Sequence, residues 1–235
     1  MAIRAMKVLD LFCGSGGAAC GFAPYFDEIL GVDKVKQPYY PFNYVICDIF
    51  DLPLEFFEDF DFIWASPPCQ AYSFSTKGSR NRGKTYPDLV EKTRQLLDET
   101  KKPYVIENVP GAPIRKDLML CGEMFGLKII RHRYFEVNGF HVPQLKHIKH
   151  KGMVANGTKM GVFNGNSRNT RTQKRYTIAG HQQGTLAQWQ EAMKISWVGS
   201  KSYLAQCVPP TYSDYILNFF KEKESRQRKR KVEPN

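Results

Sequence analysis

The sequence predicts a doubly wound α/β sheet carrying one small polar insertion, and three observations lead there. Apolar, β-prone runs recur at residues 6–12, 28–32, 44–47, 60–65 and 103–106, with helical spacing at 18–22 and 88–100. The first three runs are followed by residues suited to a ligand: a glycine turn, Asp33, and Asp48 with Ile49. That placement fits ligand binding beyond the carboxyl ends of strands in a doubly wound sheet. After Val137 the composition turns polar and basic, and apolar helical spacing returns only at Leu186.

The first run leads into Cys13-Gly14-Ser15-Gly16-Gly17 and then a short helix from Ala18. A strand, glycine turn and helix bring backbone N–H groups and a helix N-terminus to a ligand. Gly14-x-Gly16-x-x-Ala19 also satisfies the loose dinucleotide fingerprint, so the turn alone does not choose the nucleotide. Asp33 is placed to accept hydrogen bonds from ribose hydroxyls. Asp48 and Ile49 offer an acid and an apolar side chain for an adenine amino group and face. Capping of a turn is the competing reading of both acids.

The fourth run, 60–65, ends in Ser66-Pro67-Pro68-Cys69-Gln70. Each proline fixes its own φ and biases its predecessor to extended backbone, so Cys69 leaves the strand in a set direction, as a nucleophile would. A small apolar residue in a turn is the plainer alternative. A polar segment follows, 73–84, with Lys77, Arg80, Arg82 and Lys84, read as a lid that contacts phosphate or as a solvated loop. Glu107 closes the fifth run and can act as a general acid. Residues 118–127 read as a short helix, and 131–137 as a further strand. Arg131 and Arg133, two apart, then project from one strand face.

A chain of 235 residues suits one large domain, or a domain with an insertion. No apolar stretch approaches the ~18–20 residues of a membrane span. With no cleavage signal near the start, a cytoplasmic protein is expected, in a host cytoplasm or nucleoid if the source is a phage or bacterium. Six cysteines form no CxxC pair or regular spacing, which argues against a disulfide framework or zinc site and for reduced thiols. His141, His147 and His150 have no cysteine or carboxylate beside them in sequence, so no metal is expected.

The net charge of +11 is unevenly placed: residues 131–185 contribute +9 and 221–235 contribute +4, leaving −2 elsewhere. A near-neutral body with a basic insertion and basic tail suits a polyanion. Arg168, Arg171, Lys174 and Arg175 are the insertion's leading candidates for nucleic-acid contact. The final helix is expected over 212–220, with a frayed charged tail after it.

Taken together, these segments resemble the C5-cytosine-specific DNA methyltransferases, in a compact form such as a phage or mobile element carries. Residues 10–17 look like that family's S-adenosylmethionine loop. Pro67-Pro68-Cys69-Gln70 is similar to its catalytic Pro-Cys-Gln, and Glu107-Asn108-Val109 to its Glu-Asn-Val. Arg131-x-Arg133 matches the end of its Gln-x-Arg-x-Arg motif, and Val208-Pro209-Pro210 the close of its last motif. Ile129 stands where the family has Gln, and Ala205-Gln206 where it has Gly-Asn.

The resemblance implies a Rossmann-like methyltransferase sheet over 1–137 and 188–222, a target-recognition insertion at 138–187, and a basic tail at 223–235. It implies S-adenosyl-L-methionine held by Asp10, Phe12, Gly14, Ser15, Gly16, Gly17, Asp33, Asp48, Ile49, Pro68 and Gln206. It implies catalysis by Cys69, Glu107, Arg131 and Arg133 on a cytosine flipped out of double-stranded DNA. A monomer is expected, in DNA methylation of the restriction-modification kind. The rival readings are the same chemistry on tRNA, an inactive nucleic-acid-binding relic, and a nicotinamide-dependent oxidoreductase. The last gives Cys69 no task.

Overall fold

In a computed structural model, the strands of the predicted sheet run parallel and their order reverses in the middle. The structure describes residues 4–147, 150, 153–154, 161–162, 174–175 and 184–232. The strands are β1 (Lys7–Leu11), β2 (Glu28–Asp33), β3 (Asn43–Ile46), β4 (Phe62–Ala65), β5 (Tyr104–Asn108), β6 (Leu118–Leu120) and β7 (Arg133–Asn138). They form one sheet in the order β3-β2-β1-β4-β5-β7-β6. The first five are mutually parallel, and β7 pairs antiparallel with both β5 and β6. The order therefore reverses between β1 and β4, where such sheets open a crevice beyond their strand ends.

Strands buried on both faces read as continuous apolar runs, and β4 does so at Phe62-Ile63-Trp64-Ala65, all fully buried. Alternate side chains then enter two cores. Phe62 and Trp64 pack with Phe22, Phe135 and Phe220, whereas Ile63 and Ala65 pack with Leu9, Val90 and Leu97. Helices α1 (Gly17–Phe22), α5 (Leu186–Met193), α6 (Lys201–Leu204) and α7 (Pro210–Val232) serve the first core. The second lies under α2 (Leu54–Glu58) and α4 (Val90–Thr100); α3 (Lys77–Asn81) follows the Cys69 turn. Among the described residues, no helix is long and apolar enough to cross a membrane.

Two elements differ from the sequence reading. Residues 118–127 are not a helix: Leu118–Leu120 pairs with β7, and Gly122–Phe125 is a 3-10 turn. The exposed edge of β7 offers this short apolar run a ladder of hydrogen bonds, which outweighs its weak helical spacing. The segment after Lys221 is not frayed but continues α7 to Val232. Lys223 donates to the Gly139 carbonyl at 2.7 Å and so anchors the helix beyond the core. Within the insertion, Met153–Val154, Gly161–Val162 and Lys174–Arg175 form a separate three-stranded sheet, with the second of these at one edge.

Candidate active site

The glycine turn after β1 is shaped by backbone that few side chains tolerate. Phe12, Gly14 and Gly16 have φ of 55°, 50° and 76°. A non-glycine residue in that region, as at Phe12, marks strain of the kind found at ligand sites. Gly17 permits close approach: a Cβ there would lie 2.3 Å from the Val208 carbonyl oxygen. Over Gly14 the space is open, with only the Phe12 carbonyl within reach of a Cβ, at 3.9 Å. Trp197 donates to the buried Ser15's carbonyl at 2.9 Å, binding the turn to the chain after α5.

Asp33, at the end of β2, accepts from Gly14 N–H at 3.0 Å and from Val35 N–H at 3.1 Å. It therefore holds the turn in shape. Asp10 is buried, and burial pushes its carboxyl well above the usual carboxylate range despite a hydrogen bond from Tyr40. Asp48 caps a 3-10 turn through Phe50 N–H and pairs with Lys34 at 2.9 Å; that pairing holds its carboxyl below the usual range. Ile49 is buried in the second core.

Cys69 and Glu107 emerge from neighbouring parallel strands, since β4 and β5 pair through Ala65↔Ile106. Asn108 ties the two segments together by donating from Nδ2 to the Pro67 carbonyl at 2.9 Å. Pro68 and Cys69 are half-buried beyond it. Burial pushes the Cys69 thiol above its ordinary value, and Glu107 adds to that; Arg133 and Arg131 act the other way. Glu107 is buried and forms an ion pair with Arg133 at 2.7 Å.

The two arginines divide. Arg133 lies in β7 and reaches Glu107, whereas Arg131 precedes the strand and donates to the Ala205 carbonyl at 2.7 Å. They do not share a strand face, because β7 begins only at Arg133. Burial, with the like charge of Arg133, pulls the Arg131 guanidinium down to about 9. Arg131 thus joins the β7 approach to the segment where Gln206, exposed, donates to the Ser202 carbonyl. Ile129, at the departure from the family motif, is buried in the first core against Gly122.

The segment after Cys69 is folded: a 3-10 turn, Phe74–Thr76, leads directly into α3. Arg80 turns inward and donates to the Gln70 and Ser73 carbonyls, each at 2.8 Å, so it braces the chain next to Cys69. Lys77, Arg82 and Lys84 are exposed on the same segment, as is Phe74 at 87%. In the insertion, Arg168 and Arg171 lie outside the described residues; Lys174 and Arg175 form an edge strand of the small sheet.

The histidines require a correction. His147 and His150 lack cysteine or carboxylate neighbours in sequence, yet folding gathers Cys121, His132, His147 and His150 so that one ligand atom of each lies within 4.8 Å of the others. Glu123 binds His150 Nδ1 beside them. The cause is register: Leu120 pairs with Arg133, which leaves Cys121 and His132 adjacent at the end of the ladder. His141 remains apart and exposed.

Sequence reasoning also missed Asn108, Tyr40 and Trp197 as determinants of the site. For Asn108 a signal was present, its place between Glu107 and Val109. Tyr40 and Trp197 contact the turn across long sequence intervals, and no local pattern marks them.

Residues 6–118 match the family model for C-5 cytosine-specific DNA methylases. The chain is similar to type II methyltransferase M.HgiCI of Herpetosiphon aurantiacus, 30% identical over 117 residues, 45% of this chain and 28% of that protein. With type II methyltransferase M.NlaX of Neisseria lactamica it is 32% identical over 120 residues, 44% of this chain and 36% of that one. The aligned stretch is thus only about a third of either relative's length.

Among solved structures, the methyltransferase EhMeth of Entamoeba histolytica aligns with a TM-score of 0.60 at 12% identity, covering 94% of this chain and 99% of that one. A DNMT2 variant of Spodoptera frugiperda gives 0.57 at 16% identity, covering 91% and 99%. At such identities the likeness shows the fold.

Proposed function

We propose that this chain, whose residues 6–118 match the model of the C-5 cytosine-specific DNA methylase family, methylates C5 of a flipped-out cytosine in double-stranded DNA. The observation that carries this reading is the pair Cys69 and Glu107 on adjacent strand ends, joined through Asn108 and backed by Arg133.

S-adenosyl-L-methionine supplies the electrophilic methyl group. The crevice suits it: the space over Gly14 is open, and Asp33 and Asp48 stand at successive strand ends. Each carboxylate keeps acceptor capacity beyond the bonds it already makes, since an ionised carboxylate has about four lone-pair sites. In this reading Asp33 takes the ribose hydroxyls and Asp48 the adenine amino group, while Ile49, buried in the second core, supports that wall from behind. Asp10, Phe12, Ser15, Gly16 and Gly17 shape the turn, with Pro68 and Gln206 at its margins.

Cytosine C5 is a poor nucleophile until C6 carries an added group. Cys69 Sγ gives up its proton and adds to C6. Glu107 hydrogen-bonds and protonates N3, drawing electrons from the ring during attack. C5 would then bond to the methyl carbon as the donor's S–CH3 bond breaks, the electron pair staying on sulfur and the neutral thioether leaving. Loss of the C5 proton to solvent, return of the N3 proton to Glu107 and cleavage of the Sγ–C6 bond would restore the ring and free Cys69. Arg133 orients Glu107 and favours the thiolate; Arg131 holds the Ala205 segment in place.

Flipping the base out of the duplex costs a few kcal/mol. Lys77, Arg82, Lys84 and the basic insertion offset this through phosphate contacts.

The test is transfer of labelled methyl groups to duplex DNA and to tRNA in parallel, followed by base-resolution sequencing for 5-methylcytosine. Label at C5 in duplex DNA, lost in Cys69→Ser, supports the proposal. Label confined to tRNA would move the substrate to RNA. Cofactor and DNA binding without any transfer would leave a nucleic-acid-binding protein.

A further inference from the structure

We propose that Cys121, His132, His147 and His150 bind a zinc ion that staples the start of the insertion to the edge of the main sheet. The inference stands apart from the methyl-transfer reading, because none of the four residues is assigned to that chemistry.

Folding gathers the four ligand atoms within 4.8 Å of one another, close enough for a zinc ion to draw them into a tetrahedral set. His132 Nε2 lies 3.2 Å from His147 Nε2 and 3.0 Å from His150 Nε2, and Cys121 Sγ lies 3.9 Å from His150 Nε2. Around zinc, with Zn–N and Zn–S of about 2.0–2.1 and 2.3 Å, such atoms sit roughly 3.3–3.6 Å apart.

Hydrogen bonding among the rings does not account for this convergence. A neutral imidazole carries one N–H and one lone pair. With His150 Nδ1–H directed at Glu123, the Nε2 of His150 presents its lone pair to the cluster. His132 Nε2 faces two ring nitrogens but can donate to, or accept from, only one of them. A cation at the centre resolves the conflict.

The surroundings favour the same conclusion. A histidine ligand whose second nitrogen donates to a carboxylate is the usual outer support of a zinc site, and Glu123 provides it. Three imidazoles and a thiolate select zinc over magnesium or calcium, which take oxygen ligands. Four protein ligands close the coordination sphere, which marks a structural ion and not a catalytic one.

The ligands are also delivered by fixed backbone. Cys121 and His132 sit at the end of the β6–β7 ladder. Gln144 pairs its side-chain amide with both main-chain groups of Met119, each at 2.8 Å, and so brings the chain leading to His147 along the outer edge of β6. Tyr215 of α7 donates to the Pro143 carbonyl at 2.8 Å and pins the same segment. An ion here would lock His147 and His150, at the start of the insertion, beside His132. Arg133, which holds Glu107, is the next residue.

The experiment uses the full chain, purified without a histidine tag. Metal content is read by mass spectrometry, and the chelator-stripped protein is titrated with Co²⁺ and Zn²⁺. About one zinc per chain is expected, with a tetrahedral cobalt spectrum containing a thiolate charge-transfer band. Cys121→Ala and His147→Ala should each weaken zinc binding by at least about tenfold, while His141→Ala, exposed and outside the cluster, should not. Parent protein that binds neither ion overturns the proposal, as does undiminished binding in the double variant Cys121→Ala/His147→Ala. Should the variants fail to fold, the cobalt spectrum of the parent decides: with the thiolate band the site stands, and without it the site falls.

Discussion

Arg133 Nε lies 2.7 Å from Glu107 Oε1, and both side chains are largely shielded from water, 14% and 8% exposed. The contact joins β7 to the end of β5. Arg133 is also the strongest influence drawing the Cys69 thiol down. Removing it leaves a buried carboxylate without its cation and Cys69 with less reason to ionise. Arg133→Ala should slow methyl transfer by roughly 10²–10⁴-fold, the usual worth of a positioned acid–base group. Arg133→Lys should recover part of that, since lysine restores charge but not the planar fork. Single-turnover rates at saturating DNA, with far-ultraviolet circular dichroism as a folding control, check this. A rate near the parent's for Arg133→Ala would detach the arginine from the chemistry.

The Cys69 thiol gives a pH dependence whose sign follows from its environment. Burial raises its pKa above the ordinary value, so little thiolate exists at neutral pH. Alkylation needs the thiolate. The rate at which iodoacetamide modifies Cys69, followed by peptide mass spectrometry, should keep climbing past the ~8.5 of a free cysteine. In Arg133→Ala the curve should shift further upward. A plateau below neutral pH would show a thiol activated in the free protein, contrary to this geometry.

Asp33 has a structural task that bears on the cofactor. Its two oxygens accept from Gly14 N–H and Val35 N–H. Asp33→Ala should weaken S-adenosylmethionine binding by about 1–3 kcal/mol, the cost of leaving polar groups unpaired. Calorimetric titration reads this directly, and duplex DNA binding without cofactor should barely change. Equal cofactor affinity in parent and variant would remove Asp33 from that site.

Glycines in two short helices should respond oppositely to alanine. In α1, a Cβ at Gly21 would lie 2.0 Å from the Pro210 carbonyl oxygen and 2.1 Å from Ser213 Oγ. Those contacts belong to α7, whose Ser213 donates to the Ala18 carbonyl at 2.8 Å. Gly21→Ala should therefore cost about 1–3 kcal/mol through overpacking. In α3, a Cβ at Gly78 meets only the flexible Arg82 head, at 3.6 Å, so Gly78→Ala should be neutral or stabilising by up to ~1 kcal/mol. Urea unfolding of the two variants measures both. Equal stability would mean that α1 and α7 are less closely packed than their geometry requires.

For the insertion, the charges of residues 138–187 set the expectation. They include Lys146, Lys159, Arg168, Arg171, Lys174 and Arg175, and no acid. Neutralising a phosphate-binding lysine should weaken all duplexes alike and lower the salt slope by about 1. Neutralising a base-reading arginine should relax one position of the target, by roughly 1–3 kcal/mol. Binding isotherms at several salt concentrations, on a randomised duplex pool, separate the two. If replacing most of these charges left target choice and salt slope unchanged, recognition would lie outside this segment.

What the sequence by itself determined is local. Apolar runs of the right length announced the parallel strands, and the glycine turn, Asp33 and Pro67-Pro68-Cys69 followed them within a few residues. Strand period, the fixed φ of proline and the freedom of glycine act between near neighbours, so they can be read without a fold. What only the tertiary structure decided joins residues far apart. Arg133 reaches Glu107, while Arg131 turns to Ala205. Arg80, a candidate for phosphate by composition, instead braces the Gln70 and Ser73 carbonyls. Residues 118–120 became a strand because β7 offered an edge, and that pairing set Cys121 beside His132. Charge and residue type show what a side chain is able to bind; antiparallel register and the burial around it select its partner.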